Sequence, residues 1–327
     1  MREPLYHAGE FLLRFHHVLP PLMLAVAAGV ILPRFLVRSP WTHRTPRLAL
    51  GLWGLLVLVL TASLSLALLQ LFFPAAEDHR VPEVIQGCFL ASGGRCVSVM
   101  LNGLGRPSVR AWAGFAAAAC PPLALTLAFA RQVFDFRCRR DRHAELLGMV
   151  GSWCSELRAT VLPHTTPAVY CLPGRAPQVV VSEGAVSALT GEQLTAALEH
   201  ERAHIAGRHH LLAAAASAIG VLSQRLPLAR FVGDEVPLLL EMAADDRALR
   251  RCSRPALAVA LYAVAAGQTP HAALAAGGSS ALLRMRRILQ PPTERPTVLG
   301  VALLVLTLTV GLSALAAVCC SVPGPGL

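Results

Sequence analysis

Residues Thr190 to His210 read TGEQLTAALEHERAHIAGRHH, and this stretch decides how the rest of the chain is understood. Thr190 followed three residues later by Gln193 is a capping box, so the pattern predicts a helix beginning at Gly191. That helix is expected to run through His210 and to continue into the apolar Leu211 to Leu222, a run too short to cross a bilayer and therefore read as buried. Within it stands His200-Glu201-Arg202-Ala203-His204, an H-E-x-x-H pattern. Four residues turn a helix by about 400°, so His200 and His204 leave one face a turn apart and can reach one metal ion. Glu201 projects about 100° away, close enough to touch a water on that ion but not to ligate it. Zinc in such a place lowers the pKa of its water to about 7 while a carboxylate accepts the proton, which is peptide-bond hydrolysis in outline.

A catalytic zinc site needs a third protein ligand and an open fourth position. Glu241, in Glu241-Met242-Ala243-Ala244-Asp245, is the expected third ligand, and Asp245, one turn further on the same face, would orient an imidazole. A salt-bridged surface role, with Arg247 and Arg250 nearby, stays open for Glu241, as an ion-pair role does for Asp245. The rivals are Asp234, Glu235, Asp246 and His209. Glu235 is expected in a loop before the helix of Glu241, and His209 lies about 140° away from His204 in azimuth. His209 and His210 read better as a polar helix surface near the membrane. Upstream, Ala144 to Ala159 reads as a helix, and Ala168 to Leu172 and Gln178 to Ser182 as strands joined by a Pro/Gly turn. The second strand is expected either at a sheet edge, where it would bind a substrate chain by strand addition, or simply in the core. Gly233 to Asp246 reads as a loop and then a helix, and Pro255 to Gly267 as another helix.

Around this segment the chain is strongly apolar. Of 327 residues 54% are hydrophobic and 15% charged, with a mean hydropathy of +0.55. An ordinary soluble domain carries roughly 25% charged residues, so a fully soluble enzyme and a disordered chain are both excluded. Four stretches are long and apolar enough to span a bilayer: Val18 to Val37, Leu48 to Phe73, Ala111 to Ala130 (with a kink expected at Pro121-Pro122) and Thr297 to Cys320. No A-x-A-like cleavage site follows the first, so a signal peptide is not expected. The expected organisation is a membrane region 1–137 with three spans and an outer loop 74–110, a soluble segment 138–296, and a last span with a short tail, 297–327. The net charge of +10 is carried entirely by Arg. Arg38, Arg44 and Arg47 follow the first span, and Arg131, Arg137, Arg139, Arg140 and Arg142 follow the third. The positive-inside rule then puts both termini outside and 138–296 in the cytoplasm of a multi-pass cell-membrane protein. Because these arginines flank spans and no recognition motif accompanies them, no nucleic acid is expected as a partner. Cys88 and Cys96 fall in the outer loop, where a disulfide or two free thiols are equally compatible with the sequence.

Three spans, an H-E-x-x-H segment and a closing span resemble the BlaR/MecR-type membrane metallopeptidases. The run Glu241-x-x-Ala244-Asp245 is similar to the E-x-x-A-D element of that family and of the related HtpX-type peptidases. The resemblance implies an α-helical membrane protein with an inserted α+β, zincin-like domain of the glutamate-ligand kind. His200, His204 and Glu241 would bind Zn2+, Glu201 would be the general base, and Asp245 would support a ligand. The implied substrate is a cytoplasmic or membrane-proximal protein, such as a transcriptional repressor, or the peptidase itself, cleaved in signal transduction. The β-lactam sensors of that family carry a penicillin-binding domain after the fourth span, whereas this sequence stops at Leu327, so that sensor is not expected. Arg202 stands where the family more often has an apolar residue, and is expected on the exposed side of its helix. Two other readings compete: a signal transducer with a purely structural metal site, and an HtpX-type quality-control protease acting on damaged membrane proteins.

Overall fold

The computed structural model describes residues 18–72, 109–174, 176–267, 278–290, 302 and 306. The first helix, α1 (Val18–Val37), contains a π turn at Ala27–Ile31. Pro33 explains it: proline has no N–H to give the carbonyl four residues back, and the preceding turn widens to accommodate its ring. A short α2 (Trp41–Arg44) leads to α3 (Pro46–Phe72), which covers the second expected span. The third expected span belongs to a longer element. α4 (Val109–Val150) is one helix of 42 residues that holds Pro121 and Pro122 in its interior. It passes through position 138, where the soluble segment was expected to begin, and absorbs the first half of the expected Ala144 to Ala159 helix. The helical spacing at Leu146, Leu147 and Val150 is the end of α4, which stops before Gly151. A side chain at Gly151 would sit 2.6 Å from Thr160 Cγ2 and 2.9 Å from Leu147 O, so the close turn into the sheet excludes one.

Val18–Val37, Pro46–Phe72 and Trp112–Val150 are three helices long and apolar enough to cross a membrane, and they point to a membrane protein. The last of them buries almost none of its apolar surface within the protein, leaving Trp112, Leu123 and Leu127 exposed. The expected fourth span, the outer loop with Cys88 and Cys96, and the tail lie outside the described residues, apart from isolated positions.

After α4 comes a four-stranded mixed sheet: β1 (Ser152–Cys154), β2 (Ala159–Leu162), β3 (Val169–Leu172) and β4 (Gln178–Ser182), ordered β1-β2-β4-β3. β2 and β4 run parallel, and the other two pairings are antiparallel. β4 is therefore an inner strand, and the expectation that it forms a free edge is corrected. Its Val179, Val180 and Val181 are all buried, as an inner strand covered by helices requires. The edge is β3. Helices α5 (Glu183–Ala188), α6 (Gly191–Ala206), α7 (His209–Leu222), α8 (Pro227–Ala248), α9 (Arg254–Gly267) and α10 (Gly278–Leu289) complete the described architecture.

Two cores hold α6 and α8 in place. Val179 and Val181 of the sheet pack with Leu194, Ala197 and Leu198 of α6 and Ala260 of α9. Leu228, Val232, Val236, Leu239 and Leu240 of α8 pack instead against Leu52, Trp53 and Leu56 of α3. The membrane helices and the H-E-x-x-H helix thus meet through α8.

Candidate metal centre

The capping box is formed: Thr190 Oγ1 accepts from Gln193 N, and Thr190 N donates to Gln193 Oε1 at 3.0 Å. Starting there, α6 ends at Ala206 rather than running through His210. Arg208 adopts a left-handed conformation (φ 50°), and α7 sets off at 61° to α6. The expected single helix is two, because a left-handed residue ends the hydrogen-bond ladder and redirects the chain.

The structure brings His200, His204 and Glu241 together, with one donor atom from each lying within 4.8 Å of the others. The two Nε2 atoms are 3.2 Å apart, and Glu241 oxygens lie 3.4 Å from His200 Nε2 and 3.5 Å from His204 Nε2. A tetrahedral ion with bonds of about 2.0–2.1 Å has ligand atoms about 3.3–3.4 Å apart, so the three separations fit a small cation. Charge fits as well. Glu201, Glu241 and Asp245 against the guanidinium of Arg284 leave two negative charges when all three are ionised and both imidazoles neutral, the charge a divalent ion cancels.

Asp245 is fully buried, and its Oδ1 lies 3.0 Å from His200 Nδ1, close but off the axis of a straight hydrogen bond. The expected loop before Glu241 is helix: α8 already includes Gly233 and Glu235, because Pro227 at its first turn sets the helical φ early. The rivals for the third position point elsewhere. Glu235 lies 3.2 Å from His43, and Asp246 pairs with Arg287. Asp234 lines the cleft beside Glu241 but is not among the clustered donors.

One residue of the site was not anticipated, and another had been set aside. Arg284 of α10 lies 2.8 Å from Glu241 Oε2 and also engages Asp245. His209 is buried, with Nδ1 3.0 Å from His204 Nδ1, rather than on a polar surface. The azimuth argument assumed one continuous helix, and the bend at Arg208 folds His209 back. Arg202 is not simply exposed either: it donates to Glu199 at 2.6 Å and to Leu157 O at 2.7 Å, tying α6 to the β1–β2 turn.

Electrostatics divide the two histidines. Burial opposes charge on His200, but the carboxylates of Asp245 and Glu241 outweigh it and raise its pKa to about 9. Burial lowers His204 to about 4. Burial also raises Glu201, against the opposing pull of His200 and of the Cys171 thiol on β3. A buried carboxylate with its affinity for protons raised is what a general base near neutral pH requires.

Residues 158–274 match the model of Peptidase family M48. No curated protein and no solved structure matches the chain. The M48 segment begins at β2 and contains His200, Glu201, His204, Glu241 and Asp245, whereas Arg284 lies beyond it. M48 peptidases are metal-dependent hydrolases of peptide bonds, so the match supports a metallopeptidase.

Proposed function

We propose that the protein is a membrane-embedded zinc endopeptidase acting on a cytoplasmic or membrane-proximal protein. The observation that carries this reading is the convergence of His200, His204 and Glu241 beside a buried Glu201 with a raised pKa. The three ligand residues would hold Zn2+, which when bound polarises a peptide carbonyl and acidifies water. Glu201 takes the proton of the attacking water as the C–O bond forms, then delivers it to the leaving amine as the C–N bond breaks. Asp245 keeps the His200 ring in position from the Nδ1 side, and Arg284 balances the carboxylate charge. A substrate chain would add along β3, the sheet edge that carries Cys171 beside Glu201, with its peptide groups satisfying that edge.

The arginines following α1 and those in the second half of α4 favour a cytoplasmic site with both termini outside. Together with the BlaR/MecR-like span order, this favours a regulator such as a repressor, or the chain itself, as substrate. A purely structural metal site gains nothing from a buried base at Glu201, which disfavours the transducer reading.

Glu201→Gln tests the mechanism in the full-length protein. It should retain one zinc per chain yet lower cleavage by about 10²–10⁴-fold, whereas His204→Ala and Glu241→Ala should lose the metal. Undiminished proteolysis by Glu201→Gln would sink the assignment.

A further inference from the structure

A cavity of about 920 Å³ lies beside the candidate metal centre, lined by the second half of α4, the β3–β4 loop and the bend between α6 and α7. It touches the metal cleft only through Pro173 and His210. Arg137, Arg139 and Arg140 of α4 and Arg208 of the bend line it, and one carboxylate, Asp141, answers them by pairing with Arg140. Arg140 also donates to Pro173 O at 3.1 Å, which fixes its guanidinium against the loop. Among the described residues, Arg137 and Arg208 have no ion-pair partner. His210 lines the same space with Nδ1 buried and without a hydrogen-bond partner among the described residues. Burial lowers its pKa, and the neighbouring Arg140, Arg208 and Arg137 push it the same way.

Apolar side chains line the same cavity. Val133 stands four residues, about 6 Å, before Arg137, and Phe136 the same distance before Arg140, toward the apolar part of α4. Leu211 and Ala214 of α7 face the same space. Cationic groups with an apolar flank on the side of the span match an amphiphile that carries a phosphate at one end. The arginines alone would accept any phosphate; the apolar flank selects a lipid.

We propose that this cavity binds the phosphate headgroup of an anionic phospholipid, with the acyl chains leaving past Val133 and Phe136 toward the bilayer. The guanidinium groups supply charge-assisted hydrogen bonds to the phosphate. The site needs α4 in a membrane but no metal ion, so it stands apart from the peptidase reading.

The test is lipid titration of the full-length protein in detergent, read by native mass spectrometry, with phosphatidylglycerol and phosphatidylcholine. Phosphatidylglycerol should bind the more tightly. Arg137→Gln with Arg208→Gln should weaken it by about 30-fold, and each single change by about 5-fold, with phosphatidylcholine unaffected. Arg250→Gln, outside the cavity, should behave as wild type. Thermal melts identify any variant that has failed to fold, and the single variants then carry the comparison. Unchanged phosphatidylglycerol affinity in the folded variants overturns the proposal. So does phosphatidylcholine binding as tight as phosphatidylglycerol. Inorganic phosphate that binds as tightly as the lipid would assign the cavity to free phosphate and overturn the lipid assignment.

Discussion

Arg284 grips Asp245 with two parallel hydrogen bonds, Nε to Oδ2 at 2.9 Å and Nη2 to Oδ1 at 2.8 Å, across 39 residues of sequence. Asp245 is fully buried, and the Arg284 side chain is 17% exposed. Removing the guanidinium takes both bonds from a buried carboxylate, so Arg284→Ala is expected to destabilise the protein by about 3 kcal/mol. Arg284→Lys should recover only part of this, because an ammonium lacks the planar fork. Thermal unfolding in detergent reads both, and a melt unchanged in Arg284→Ala would show that the pair does not stabilise the fold.

Metal uptake should depend on pH through His200. With its pKa raised to about 9, the ring holds a proton at neutral pH that a metal must displace. Affinity is expected to climb about tenfold per pH unit from about pH 7 and to level off above about pH 9. His204, neutral above about pH 4, adds nothing in that window. Chelator competition measures the affinity, and calorimetry in two buffers measures a release of about one proton at neutral pH. A flat affinity from neutral to alkaline pH would contradict the shift.

His209 holds the Nδ1 side of His204, as Asp245 does for His200. His209→Ala is expected to weaken metal binding by about 10–100-fold while leaving the fold intact. His209→Gln, which keeps a polar group near that place, should lose less. Equal affinities for wild type and His209→Ala in a chelator titration would remove His209 from the site.

Gly184 meets the loop before β3 so closely that a side chain has no room. Its Cβ would stand 1.9 Å from Thr165 O, a backbone atom of the segment that Ser182 also holds through Thr166 O at 2.8 Å. Gly184→Ala should therefore cost at least about 2 kcal/mol, read as a lowered melting temperature. A melt equal to wild type would show that the loop moves aside freely.

What could be read in the sequence was local. The Thr190 cap, the one-turn spacing of His200 and His204, and that of Glu241 and Asp245 all follow from helix geometry over a few residues. The membrane helices followed from unbroken apolar length. What stayed hidden depended on distant partners. Strand order is set by pairing with distant segments, although the unbroken run Val179-Val180-Val181 was a signal of an inner strand. Nothing around Arg284 points back to Asp245. The left-handed Arg208 has neither glycine nor proline to announce it, although Gly207 beside it was a signal that the helix could end there. With that bend unseen, His209 was placed on the wrong side of its own site.

The unbroken course of α4 has a mechanical consequence. Its 42 residues make a rod about 63 Å long, roughly twice the thickness of a hydrocarbon core. About 30 Å of it lies beyond Arg131, and that part is fastened to the sheet where Arg140 meets Pro173 and His143 meets Tyr170 at 2.9 Å. Pivoting such a rod by about 10° at the bilayer surface displaces its far end by about 5 Å. Membrane thickness sets helix tilt. A change in the tilt of α4 is thereby a change in where its far end meets β3, the strand that carries Cys171 beside Glu201.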